Sequence, residues 1–350
     1  MQKCPDLVIV EPHFPLYVRF SNMAREIYKD YSQYIEPFGL DENWIDVTGS
    51  RKSAEEIAYE IKERVKFELG ITVSVGVSWN KIFAKFGSDY KKPDAVTVIN
   101  RENYKRIVWE SPVGDLLFVG RATTAKLNGY GIYTVGDLAA ADKSFLHSVF
   151  GKNGYVMSDF ANGLDTSPVS HVDDEQAIKS VGNSTTTPRD LKDNDDVKTV
   201  LTVLAESVAR RMREQGVKGR TVCISVRDNK LQSFTRQTRL KTHTDISSEI
   251  IAAAMQLFIN NYNWANPIRS VGVSVTDFGE DFMQFDFGKT VERHEKQEKI
   301  EHAVDDIRRR FGSFAVQRAS VLTDRGLSSF NPHDDHTIHP VGYFKEWKGI

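Results

Sequence analysis

The sequence predicts an α+β multidomain protein, with an α/β layer first, a small helical region next and a β-α-β-β-α-β unit last. Three observations predict it. Over the first hundred residues, β-branched alternation is interleaved with apolar residues four apart. From Ser111 to Pro168 the β-branched runs vanish, and Gly120, Gly129, Gly131, Gly136, Gly151, Gly154 and Gly163 separate short helical stretches. After the polar, proline-containing stretch Ser167 to Gln176, strand and helix patterns alternate again in six segments.

The elements follow in order. Ser53 and Glu56 stand at capping-box spacing, Ile57, Ile61, Val65 and Leu69 recur every four residues, and Gly70 can close the helix. Ile71, Val73, Val75 and Val77 then alternate with polar or small residues as a half-buried strand. A helix is expected over Asn80 to Tyr90 and a short strand over Ala95 to Ile99. Beyond the linker, strands are expected at 179–187, 219–227, 231–240 and 268–277, and helices at 195–214 and 245–262. A charged helix over 291–311 precedes a tail from Leu327, rich in His, Asp, Pro and Gly, that is expected to be poorly ordered. The domains read as 1–110, 111–168, a linker at 169–178, 179–290 and a C-terminal helix and tail at 291–350.

Composition narrows the class. With 350 residues, 40% hydrophobic and 27% charged, the chain is neither disordered nor low-complexity. No apolar run approaches the roughly 18 residues that cross a bilayer, and the N-terminus lacks a signal-peptide layout, so a cytoplasmic location is expected. The two cysteines, Cys4 and Cys223, show neither metal-site nor disulfide spacing and read as small buried hydrophobes. Basic and acidic residues nearly balance at 46 to 48, yet the balance is local. From Arg210 to Lys241 ten cations (Arg210, Arg211, Arg213, Lys218, Arg220, Arg227, Lys230, Arg236, Arg239, Lys241) face two anions, Glu214 and Asp228. Such a segment suits a polyanion.

Four features carry candidate chemistry. Asp41 and Glu42 lie in a polar turn flanked by apolar residues, and adjacent carboxylates at a hairpin end can hold divalent cations for phosphoryl transfer. A solvated surface turn would look the same. Lys81, Lys85 and Lys92 line one side of a helix and its exit, as a triphosphate clamp requires, or as an ordinary basic face would. Phe118 to Leu127, then Gly129 to Leu138, suggests a helix-hairpin-helix that offers backbone N–H groups to a phosphate; the same glycines would serve simply to end helices. The basic strands at 219–240 place Thr235, Arg236, Thr238 and Arg239 to grip two nucleic-acid backbones, or form an ordinary solvated face.

In this order, the segments resemble the Y-family of translesion DNA polymerases, in the bacterial DNA polymerase IV branch. Cys4-Pro5-Asp6-Leu7, Leu40-Asp41-Glu42, Asn80-Lys81 through Lys92-Pro93, Val119-Gly120 and Lys179 through Leu191 each match a family segment, from Cys4 to about Phe311. The resemblance implies a partial palm (α/β), a helical thumb with a helix-hairpin-helix and a ferredoxin-like little finger. It implies Asp41 and Glu42 as catalytic carboxylates that bind Mg²⁺ in a two-metal site, and Lys85 and Lys92 as contacts to the incoming deoxynucleoside triphosphate. Gly120, Arg121, Thr123 and Lys126 of the thumb, with Arg220, Arg236 and Arg239 of the little finger, would hold primer-template DNA by its phosphates. The implied activity is error-prone, template-directed DNA synthesis past lesions in DNA repair, by a monomer in the cytoplasm at the nucleoid.

The departures set a further expectation. No D-x-D-x-F-F strand occurs, so the first palm strand with its metal carboxylate, the residue that excludes ribonucleotides and the fingers are not in the sequence. Gly39 stands where the family has Ser, and Asn43 where it has a small or apolar residue. Two carboxylates would not fix two ions, so this chain alone is expected to have little or no polymerase activity. The alternative is a non-catalytic protein that binds damaged or primer-template DNA; an RNA-binding sheet ranks last, since the aromatic strand motif is missing. Gln284, Phe285 and Phe287 fall where the family carries a sliding-clamp peptide, although a strand-edge pattern fits them equally.

Overall fold

The computed structural model describes residues 12–174, 177–279 and 290–332, with Cys4, Asp6, Leu7, Val8 and Val10; side chains of the last segment are described from His294. The chain divides near residue 175 into two compact units.

The first unit opens with α1 (Phe14–Lys29), which the sequence reading left out. Its buried face is Val18, Ser21, Ala24, Ile27 and Tyr28, three and four apart, and Pro15 sits in its first turn, where a missing N–H costs nothing. A hairpin follows, β1 (Ile35–Phe38) against β2 (Glu42–Ile45), with Phe38 opposite Glu42. Gly39 takes the turn at φ +80°, where a side chain would be strained. The expected capping box is present at Ser53 and Glu56 of α2 (Ala54–Leu69), and Gly70 closes the helix at φ +70°. Ala24, Ile27, Tyr28, Ile35, Ile57, Ile61 and Val65 form one core between α1, α2 and the hairpin.

The strand expected over Ile71 to Val77 is shorter. Only β3 (Val75–Val77) pairs, in parallel with β4 (Val96–Val98), because β4 offers three residues of partner backbone. Between them runs α3 (Lys81–Tyr90), capped by the Asn80 side chain on the Phe83 N–H at 2.8 Å. Gly76 allows the close approach of β3 to α3, since a Cβ there would lie 1.9 Å from the Ala84 carbonyl oxygen. Four short helices complete the unit: α4 (Arg121–Asn128), α5 (Val135–Ala140), α6 (Lys143–Phe150) and α7 (Lys152–Ala161). Residues on both sides of position 111 share one core, from Ile82, Phe83 and Phe86 to Leu127, Leu138, Leu146 and Ala161. Downstream, the Ser170 N–H donates to Glu36 and the Val172 N–H to the Gln33 carbonyl, pinning that stretch to the hairpin.

The second unit runs β5 (Ser180–Leu191), α8 (Asn194–Glu214), β6 (Gly219–Asp228), β7 (Ser233–Thr244), α9 (Ser247–Asn261) and β8 (Ile268–Phe278), the β-α-β-β-α-β succession read from the sequence. The antiparallel sheet has the order β5-β8-β6-β7. A ferredoxin-like sheet puts its first and third strands in the middle; here the fourth and second are central. The shared feature is two interleaved split β-α-β crossovers, each skipping one strand. Both helices cover one face, where Val181, Val222, Ile224, Val226, Val271, Val273 and Val275 meet Leu201, Leu204, Val208 and Phe258. Each such fully buried side chain contributes about 1.5–3 kcal/mol.

The charged helix α10 (Thr290–Phe311) is held by ion pairs, Asp305 to Arg213 at 2.6 Å and Arg308 to Glu206 at 2.8 Å. The described part of the tail expected to be loose from Leu327, residues 327–332, is packed against the second unit. Leu327, in α11 (Arg325–Ser328), is buried in the core of this unit, and the Asn183 amide donates to the Pro332 carbonyl.

Candidate active site and nucleic-acid surfaces

The hairpin and α3 bring the acidic and basic candidates together. Asp41 is exposed in the turn, and Glu42 opens β2 with its side chain toward α3. Glu42 Oε1 lies 3.0 Å from the Lys85 ammonium, whose side chain is 13% exposed. Lys85 also pairs with Asp89, and Asp89 accepts from Lys92 at 2.6 Å. Burial would lower the Lys85 pKa, but Asp89 and Glu42 outweigh it and raise it. Likewise burial would raise the Asp89 carboxyl, and the two lysines hold it below the usual range. Asp41, Glu42, Lys85 and Lys92 all line one cavity of about 1150 Å³, together with Val73, Val75 and Val77.

Lys81, the third lysine of the expected clamp, is used differently. Its ammonium binds Glu36 at 2.6 Å and the Pro168 carbonyl at 2.9 Å and lies over the Trp44 ring, while the Trp44 indole N–H donates to its backbone carbonyl. It ties the hairpin to α3. Sequence reasoning missed Asp89, although a carboxylate four residues after one candidate lysine and three before the other was the available signal.

A divalent cation fits part of this donor set. Two carboxylates at a turn, one of them exposed, suit a Mg²⁺ that shares its coordination with substrate phosphates. Among the described residues no group of three His, Cys, Asp or Glu side chains is placed to hold a metal, so a second ion has no comparable set there.

The thumb candidates also divide. Gly120 caps α4 with backbone alone and with open space around its Cα, and Arg121 beside it is exposed, with no ion-pair partner among the described residues. Thr123 is half-buried. Lys126 is occupied: it donates to the Val149 carbonyl at 2.8 Å and lies over the Phe150 ring.

Strand register sorts the little-finger candidates. Thr235 and Arg239 stand opposite Ser225 and Thr221, on the face away from the helices. Arg236 and Thr238 stand opposite the buried Ile224 and Val222, and Arg236 stacks on Phe234 and donates to Asn261 of α9. The four candidates therefore divide between the two faces of the sheet, because neighbouring strand residues point to opposite faces. Arg220 and Arg239 share Asp277, at 2.9 and 3.4 Å. The open face is a field of small polar residues, with Ser184, Gly272, Ser225 and Thr235 in one row and Gly182, Ser274, Cys223 and Gln237 in the next. Cys223 is thus half-buried on the open face and Cys4 is exposed, so neither is the buried hydrophobe expected. Gln284, Phe285 and Phe287 lie outside the described residues.

Comparison with known proteins places the chain in a family. The impB/mucB/samB family pattern matches residues 1–89, and that of the impB/mucB/samB family C-terminal domain matches residues 178–287. DNA polymerase IV of Acetivibrio thermocellus is 48% identical over 331 residues, 93% of this chain and 83% of the relative. DNA polymerase IV of Moorella thermoacetica is 35% identical, over 93% of this chain and 81% of the relative. Among solved structures, the Y-family DNA polymerase chimera Dbh-Dpo4(243-245)-Dbh shares the fold with a TM-score of 0.69 at 22% identity, over 80% of this chain and 81% of that one. Two family patterns over more than half of the chain and relatives at 48% and 35% identity show that the chain belongs to the impB/mucB/samB family of Y-family DNA polymerases, in the polymerase IV branch.

Proposed function

We infer that the chain is built for template-directed DNA synthesis of the lesion-bypass kind, the transfer of deoxynucleotides to a primer 3′-hydroxyl, and that with two carboxylates its activity alone is low. The observation that carries the reading is the convergence of Asp41 and Glu42 with Lys85 and Lys92 in one cavity. Asp41 and Glu42 would hold Mg²⁺, which supplies neutralisation of developing phosphate charge when bound. Lys85 and Lys92 bind the triphosphate oxygens as point charges. Lys81 orients the catalytic turn through Glu36 and Trp44.

DNA would lie on the α4 hairpin, through Gly120, Arg121 and Thr123, and on the open sheet face, through Thr235 and Arg239 with Arg220 near the start of β6. These are phosphate contacts without base readout, as synthesis on any sequence requires. The residue assignments support palm, thumb and little-finger roles for 1–110, 111–168 and 179–290. The reading also places a monomer at the chromosome in the cytoplasm; among the described residues no helix is long and apolar enough to cross a membrane. A clamp contact at Gln284, Phe285 and Phe287 predicts weaker binding to the replicative sliding clamp in Phe285→Ala/Phe287→Ala, and equal capture of both proteins would remove it.

A second reading, a protein that holds primer-template DNA without extending it, is favoured by the limited donor set, two adjacent carboxylates among the described residues. Primer extension in Mg²⁺ with all four deoxynucleotides, beside a gel shift on the same DNA, separates the two. Extension that disappears in Asp41→Ala/Glu42→Ala supports synthesis. A shift without extension supports the second reading.

A further inference from the structure

The charges along α3 form a continuous series that neither lysine's role as a phosphate contact explains. Lys92 donates to Asp89 Oδ1 at 2.6 Å, Asp89 Oδ2 accepts from Lys85, and Lys85 reaches Glu42 Oε1 at 3.0 Å. The series begins at a lysine placed for phosphate and ends at a carboxylate placed for a metal. Asp89 and Lys92 are half-exposed, at 49% and 55%, whereas Lys85 and Glu42 are more enclosed, at 13% and 32%, so the inner pair feels the lower dielectric.

Resting on the functional reading above, we propose that this series is an interlock: Lys85 neutralises Glu42 in the resting protein and releases it when phosphate oxygens take Lys85, so that triphosphate and metal favour each other's binding. Asp89 is the positioning residue of the device. It shares Lys85 with Glu42, weakening the hold on Glu42 while keeping Lys85 and Lys92 pointed at one place. Binding couplings between two ligands are reciprocal, so the effect is measurable from the metal side alone.

The test is Mn²⁺ binding to the full chain without nucleotide, read by electron paramagnetic resonance, with thermal unfolding of each variant to confirm folding. Lys85→Met frees Glu42 and should tighten Mn²⁺ binding about tenfold, within the range of ordinary couplings between sites. Asp89→Asn lets Lys85 turn wholly to Glu42 and should weaken Mn²⁺ binding about threefold, by the same coupling with the opposite sign. Lys85→Arg should restore wild-type binding. A purely structural role for Lys85 and Asp89 would move both variants the same way. No change in either, or a change of one sign in both, overturns the interlock. The readout does not involve synthesis, so opposite shifts without primer extension would sink the synthesis reading and leave the interlock, whereas extension without the shifts would do the reverse.

Discussion

Lys81 and Lys92 lie eleven residues apart on one basic stretch, and their surroundings give them different duties. Lys81 is 12% exposed and bonded to Glu36, itself 17% exposed, so removing it leaves a carboxylate without its ammonium partner. We expect Lys81→Ala to cost about 1–3 kcal/mol in thermal or urea unfolding. Lys92→Ala, at an exposed pair, should cost well under about 1 kcal/mol and act on the KM for triphosphate instead. The Lys81 effect depends on pH with a definite sign. Burial raises the Glu36 carboxyl, but Lys81 and the Ser170 N–H bring it below its ordinary value. Its contribution is therefore full above the unfolded carboxylate range and is lost as pH falls through the lowered folded value. The stability gap between wild type and Lys81→Ala should shrink below about pH 4. The sequence showed three lysines at suitable spacing; it did not show which were already taken, because partners such as Glu36 and the Pro168 carbonyl come from distant positions.

Elements with local end signals were legible and those defined by pairing were not. The Ser53–Glu56 capping box and Gly70 fixed α2 to within a residue, and α3 begins one residue after the expected Asn80. The strand at Ile71 to Val77 read four residues too long, since alternation says nothing about where the partner backbone ends. α1 was missed because its buried stripe includes Ser21 and Ala24 among few strong hydrophobes. Gly76 supplies a prediction at this scale. Gly76→Ala drives a Cβ into backbone 1.9 Å away, which no rotamer can relieve, and should cost at least about 3 kcal/mol or prevent the first unit from folding. Alanine at Gly39, where only φ is unfavourable and Asp41 lies 3.8 Å off, should cost about 1 kcal/mol. Circular dichroism melts of the two proteins side by side check both.

At the scale of the molecule, the first unit is built on two cores and the second on one. Element order in the second unit was readable from periodicity, whereas the sheet order β5-β8-β6-β7 and the open face of Ser, Thr and Gly exist only once four strands are in register. That register makes a prediction about DNA. Arg239→Glu, on the open face, should weaken binding to primer-template DNA and lower the slope of log affinity against log salt by about 1, while Arg236→Glu, on the helix side, should change affinity little. Fluorescence anisotropy over a salt series reads both; equal losses would mean that DNA does not use this face.

The measurement closest to the central claim is single-turnover insertion of one deoxynucleotide by the full chain on saturating primer-template, with Mg²⁺ titrated, for wild type, Glu42→Gln and Lys85→Ala. If the carboxylate turn and α3 form a nucleotidyl-transfer centre, wild-type insertion rises with Mg²⁺, Glu42→Gln loses it by at least about a hundredfold, and Lys85→Ala raises the triphosphate concentration needed. Insertion that proceeds equally in Glu42→Gln would contradict the account and move the chemistry away from this turn.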